Sequence, residues 1–148
     1  MNEHDFTNTF NELSYDIDGL YSRFALSSNL SDSELWILYI ILLNGGEASQ
    51  CDVCKAFCVS RKTINSAVTK LEKKKILERR SGEGKKVLLS LTDTGKVLAQ
   101  KTAVPLIKAE NEAVKGWTDE EKSMLLDLTK KYYEGLKTAL NWGENYDN

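Results

Sequence analysis

Three thiols lie close together in this chain: Cys51, Cys54 and Cys58, at spacings of three and four residues. On one continuous helix they fall within about 60° of each other, a grouping suited to soft-metal or metalloid capture or to oxidant sensing. Distance limits the options. At 1.5 Å per residue, Cys51 and Cys58 stand about 10.5 Å apart along the axis, whereas a thiolate–zinc bond is about 2.3 Å. A single ion cannot reach both Cys51 and Cys58 without unwinding the helix, while a two-thiolate site using Cys51 and Cys54 stays open. The plainer reading makes them small fillers, with Cys54 beside Val53 and Phe57 and Cys58 in a turn. No metal is expected, and the lone His4 is remote in sequence from these thiols.

The second chemistry-bearing set begins at Ser60. Taking Ile64 as the inward direction at 100° per residue, Lys62, Asn65, Ser66, Thr69 and Lys73 point outward, with no acid on that face. Asn pairs bidentately with adenine, Lys reaches guanine, and Ser or Thr serve either base or phosphate. Ser60, Arg61 and Thr63 lie at the helix start, where free N–H groups and the positive dipole end attract phosphate. Lys70 extends the basic flank. Arg79, Arg80, Lys85 and Lys86 bracket a glycine-containing loop whose basic tip can lie along a minor groove or backbone. As a set, Ser60, Arg61, Lys62, Thr63, Asn65, Ser66, Thr69, Lys70, Arg79, Arg80, Lys85 and Lys86 are the candidate DNA-binding residues.

The elements that must position them follow from patterning. Phe6, Phe10, Leu13, Ile17, Leu20 and Phe24 alternate spacings of four and three, a stripe that needs a partner helix. Ser31 and Glu34 form a capping box before the apolar run Leu35–Leu43, which reads as a buried central helix stopped by Asn44-Gly45-Gly46. A short helix over Gln50 to Phe57 turns Val53, Ala56 and Phe57 inward. After a turn, Ser60 caps a longer helix to about Lys75, with Ile64, Val68 and Leu71 inward. Ile76–Arg80 and Lys86–Leu91 read as two strands of a hairpin. Thr92 caps a helix toward Val114, with a bend expected near Val104 from Pro105. Thr118 and Glu121 form a second capping box ahead of a stripe of Leu125, Leu128, Tyr132, Leu136 and Ala139. Helix, short helix, turn, longer helix and hairpin make a winged helix-turn-helix with a two-stranded wing, in a mainly α (α+β) fold.

Composition narrows the function classes. At 41% hydrophobic and 28% charged, the 148 residues suit one domain with a real core, not a disordered chain. The net charge of −2 conceals a segregation. Residues 1–50 hold eight acids and one base, residues 51–96 hold twelve bases and five acids, and residues 97–148 hold nine acids and seven bases. A basic middle third presents one face to a polyanion. The longest apolar run is about half of a membrane span, and the polar, acidic N-terminus is unlike a signal peptide, so a cytoplasmic location is expected. With one His, no Ser/His/Asp set and no phosphate-binding Gly loop, an enzyme is not expected.

The stretch from Leu30 to Lys96 resembles the MarR family of winged-helix transcription regulators. The resemblance rests on Val59-Ser60-Arg61-Lys62-Thr63, Leu71-Glu72-Lys73-Lys74-Lys75, Glu78-Arg79-Arg80 and Leu91-Thr92-Asp93-Thr94-Gly95. It implies an obligate homodimer on a pseudo-palindromic operator in double-stranded DNA, usually a repressor released by a small-molecule effector. Residues 31–92 would be the DNA-binding lobe, and 1–30 and 93–148 the dimerisation helices, within a single 1–148 domain. The family's wing tip carries an Asp-x-Arg pair, for which this chain has Glu83-Gly84-Lys85; Lys lacks the planar fork of Arg. Trp36, Trp117, Trp142 and the tyrosines would anchor core, interface or effector pocket. No cofactor is expected. Two other readings stay open: a thiol-based repressor answering an oxidant or metalloid through Cys51 and Cys54, and a winged-helix protein-interaction module.

Overall fold

The computed structural model describes residues 1–57, 59–84 and 86–141. Cys58, Lys85 and Trp142, each given a role above, lie outside them. Two compact units divide the chain, Met1–Ile107 and Lys108–Asn148.

In the first unit, α1 (Glu3–Ser27) precedes α2 (Asp32–Leu43). The expected capping box opens α2: Ser31 N–H donates to Glu34 Oε2 at 2.8 Å, and Glu34 N–H donates to Ser31 Oγ at 3.3 Å. Leu35, Ile37, Leu38 and Ile41 are fully buried, so more than one face of α2 is covered, as the unbroken apolar run requires. Left-handed backbone at Gly45 (φ 76°) and Gly46 (φ 104°) then turns the chain.

Three residues, Glu47–Ser49, form strand β1, which the sequence reading did not anticipate. β1 pairs antiparallel with β3 (Val87–Leu91), which also pairs with β2 (Leu77–Ser81), giving the order β1-β3-β2. The expected two-stranded hairpin of β2 and β3 is present, and β1 extends it into a three-stranded sheet. The segment 47–49 is too short to show alternation, and its pairing partner lies some forty residues further on, so no local signal marks it.

Between β1 and β2 run α3 (Gln50–Phe57) and α4 (Arg61–Lys73). Ser49 caps α3, accepting from Asp52 N–H at 3.0 Å. Val53 is buried and Phe57 half-buried, but Ala56 is exposed and Cys54 takes part of the inward face instead. On α4, Ile64, Val68 and Leu71 are buried as expected, joined by Ala67. Lys75 adopts φ 55°, closing α4 into β2. At the hairpin end Gly82 N–H donates to Lys86 O at 2.9 Å.

Helix α5 (Asp93–Lys101) is followed by α6 (Ala103–Ala113). The break falls at Thr102 (φ −127°, ψ −80°), two residues before the bend expected near Val104. Pro105 lacks an N–H and its ring would clash with the carbonyl four residues back. Breaking at Thr102 places Pro105 in the first turn of α6, where a missing donor costs nothing.

The second unit takes the end of α6 and α7 (Asp119–Ala139). Thr118 and Glu121 form the expected capping box at 2.8 and 3.2 Å. No residue of α7 is buried, and Leu125, Leu128 and Leu136 are exposed. Among the described residues no helix is long and apolar enough to cross a membrane.

Candidate nucleic-acid interface

Ser60 sets the start of α4: its Oγ accepts from Thr63 N–H at 3.1 Å and lies 2.8 Å from Thr63 Oγ1. Both hydroxyls thus serve the cap first, while Arg61, Lys62 and Thr63 stay exposed around the helix start. That start carries no acidic residue. Its orphan N–H groups and dipole are complementary to a phosphate.

The buried row Ile64, Ala67, Val68 and Leu71 turns Asn65, Ser66, Lys70 and Lys73 outward and exposed. Thr69, expected outward, is half-buried and engaged. Its hydroxyl donates to Asn65 O at 2.8 Å and accepts from Arg79 Nη2 at 3.1 Å.

Two grooves flank α4. One of about 330 Å³ joins Ser31 and Ser33 of the α2 start to Lys62, Thr63, Ser66 and Lys70. The other, about 500 Å³, gathers Gln50, Cys51, Cys54, Arg61, Asn65, Arg79 and Lys86 from α3, α4 and the sheet. The structure thus brings most of the sequence-derived set onto α4 and its two sides.

The wing arginines are less available than their sequence positions suggest. Arg79 Nε lies 3.2 Å from Glu72, and Arg80 Nη2 donates to Glu47 on β1. Arg80 lines neither groove. Among the described residues no carboxylate pairs with Arg61, Lys62, Lys70 or Lys86. These four are among the cations left uncompensated on or beside α4, with Lys73 on its outer face. Glu47 was not singled out from sequence, because its role arises from the pairing of β1 with β3.

A separate cavity of about 320 Å³ lies between α1 and the α2–α4 segment, lined in part by Asp18, Tyr21, Asp32, Trp36 and Phe57. Trp36 organises its aromatic wall, with ring centroids 4.9 Å from Tyr21 and 5.1 Å from Phe57. On α3, burial pushes the Cys54 thiol up, the nearby Cys51 adds to this, and Arg61 opposes it. Among the described residues no group of three or more His, Cys, Asp or Glu is arranged to hold a metal ion.

A short helix, a turn, an exposed basic helix and a flanking sheet make a winged helix-turn-helix. Residues 28–86 match the profile of the MarR family. The fold of the chain is that of solved MarR structures. A MarR family regulator from Neisseria meningitidis has a TM-score of 0.78 at 20% identity, over 95% of this chain and 98% of that one. MepR of S. aureus, solved as a DNA complex, has a TM-score of 0.73 at 19% identity, over 92% and 99%. NadR, solved with 4-hydroxyphenylacetate, has a TM-score of 0.68 at 18% identity, over 86% and 91%. No curated protein matches the sequence. The match to the MarR family profile thus covers residues 28–86, and the fold of the chain as a whole is that of the solved MarR regulators.

Proposed function

We propose that this protein is a homodimeric, cytoplasmic repressor that binds a pseudo-palindromic operator in double-stranded DNA and is released by a small-molecule effector. The observation carrying this reading is the unpaired charge of Arg61, Lys62, Lys70 and Lys86 around an α4 whose outer face offers Asn65 and Ser66. Lys62, Asn65 and Ser66 contact base edges, with Thr69 behind them. Ser60, Arg61, Thr63, Lys70, Arg79, Arg80, Lys85 and Lys86 hold phosphates or the minor groove. Arg79 and Arg80 must exchange Glu72 and Glu47 for phosphate to do so, which makes them weaker contributors than Arg61.

Residues 31–92 serve as the DNA-binding lobe, and 1–30 with 93–148 as dimerisation helices. The apolar stripes of α1 and α7 support this, because Leu13, Ile17, Leu125 and Leu128 are all exposed in the single chain. Half-sites one helical turn apart, about 34 Å, need reading helices from two subunits. The effector seat is the Trp36 cavity, which touches both α1 and the reading helix through Ile64. A ligand there changes the relation of the reading helices and shifts the population away from the DNA-competent state. That MepR was solved on DNA and NadR with a small aromatic acid supports both halves.

The test is selection from a randomised duplex library at low and near-physiological salt. A palindromic motif retained at the higher salt is expected. Retention at low salt alone, with no enriched motif, overturns the operator reading and leaves the basic lobe as a protein-interaction surface.

A further inference from the structure

Cys51 and Cys54 are not used by DNA recognition, yet both line the same groove as Arg61, Asn65, Arg79 and Lys86. We infer that this thiol pair is a chelating site for a monosubstituted trivalent arsenical, placed so that its occupant competes with DNA. The competition rests on the DNA-binding reading above; the chelation does not.

Geometry selects this ligand class over a disulfide. Both cysteines lie within α3, exposed and half-buried respectively, three residues apart. Helical residues at that spacing hold their Cβ atoms about 5–6 Å apart. A disulfide needs about 3.5–4.5 Å between Cβ atoms and about 2.05 Å between sulfurs, so α3 would have to distort. A pyramidal trivalent atom bridging two thiolates, with bonds near the 2.3 Å of other soft centres, sets the sulfurs about 3.3–3.5 Å apart. That wider span asks less of α3 than a direct sulfur–sulfur bond does.

The reaction is an exchange without redox change. An arsonous acid RAs(OH)₂ meets the two thiols, two As–S bonds form, and two As–O bonds break. Each hydroxide departs as water with one thiol proton, and arsenic stays trivalent. Two thiolates plus the carbon substituent complete its three bonds. Inorganic arsenite would need a third ligand in place of the carbon substituent, which the pair Cys51 and Cys54 does not itself supply. The substituent R projects into the groove of about 500 Å³, where Arg61 and Asn65 would otherwise meet DNA.

The experiment is titration of the full-length protein with phenylarsine oxide, read by intact mass and by the count of free thiols. Wild type and C58S should each gain one phenylarsenic group and lose two free thiols. C51S and C54S should bind at least about 100-fold more weakly, the loss expected when a chelate becomes monodentate. Arsenite should bind wild type more weakly than phenylarsine oxide does. Duplex affinity should fall at least about tenfold on adduct formation in wild type and C58S alone. Tight binding by C51S or C54S, or its loss in C58S, overturns the site. Peroxide-induced joining of Cys51 to Cys54 with no arsenical uptake overturns it in favour of oxidant sensing. An adduct that leaves duplex affinity unchanged overturns the competition. Absence of duplex binding by the unliganded protein refutes the DNA-binding reading, while the mass and thiol counts still decide the chelate.

Discussion

Lys74 Nζ lies 3.0 Å from Glu34 Oε1, joining the end of the reading helix to the start of the central helix. The other oxygen of Glu34 accepts the Ser31 N–H at 2.8 Å, so one carboxylate caps α2 and anchors α4. Its side chain is only 6% exposed, against 49% for Lys74. Burial alone would raise the Glu34 pKa, but the Ser31 N–H and the Lys74 ammonium outweigh it, and the net shift is downward.

Because the folded pKa of Glu34 is below its unfolded value, the stability it contributes is complete above about pH 4.5. It is lost as pH falls through the folded pKa. Glu34→Gln should therefore flatten the acid limb of a denaturation-versus-pH curve, leaving a smaller loss of stability than in wild type as pH falls below about 4.5. Lys74→Ala should cost about 1–2 kcal/mol near neutrality, since a largely buried carboxylate loses its cation. An unaltered acid limb in Glu34→Gln would show that other carboxylates govern acid unfolding.

Gly95 is required by a close approach. A Cβ added there would stand 1.9 Å from the Ile76 carbonyl oxygen, which already accepts from Thr92 N–H at 3.0 Å. Gly95→Ala should destabilise by about 2–4 kcal/mol in urea denaturation, whereas Gly116→Ala, where a Cβ meets nothing, should be nearly neutral. Equal effects would refute the steric account.

Arg61 and Arg79 line the same groove, but only Arg79 is engaged by Glu72 and Thr69. Arg61→Ala should reduce the slope of log affinity against log salt by about one unit across all duplexes. Arg79→Ala should change it less. Asn65→Ala should instead relax preference at one or two base positions with the slope preserved. A larger slope change in Arg79→Ala would reverse this ranking.

Helix α1 leaves Leu13, Ile17 and Leu20 each more than half exposed, at 58%, 52% and 60%. The double variant Leu13→Glu/Ile17→Glu should sediment as a monomer where wild type sediments as a dimer, with helical content preserved. A monomeric wild type at micromolar concentration would refute the dimer.

How much of this was legible in the linear chain depends on the range of the interaction involved. Both capping boxes, the central helix and the inward row Ile64, Val68 and Leu71 depend on residues within a few positions of one another. Their signals are local, and the sequence by itself determined them. It also determined the basic character of the middle third and the side chains α4 presents outward. Only the tertiary structure decided that Glu47–Ser49 is a strand, because that segment becomes one through pairing with Leu88–Ser90. The same pairing brings Glu47 to Arg80, just as the packing of α4 on the hairpin brings Glu72 and Thr69 to Arg79. Two arginines that read alike in sequence as free DNA contacts are thereby tied to partners, while Arg61 has no carboxylate partner among the described residues. The break at Thr102 rather than near Val104 has the same character, since the Pro105 ring acts on the turn before it. Local periodicity shows which way a side chain points, but its partner depends on long-range contacts that the linear pattern does not encode.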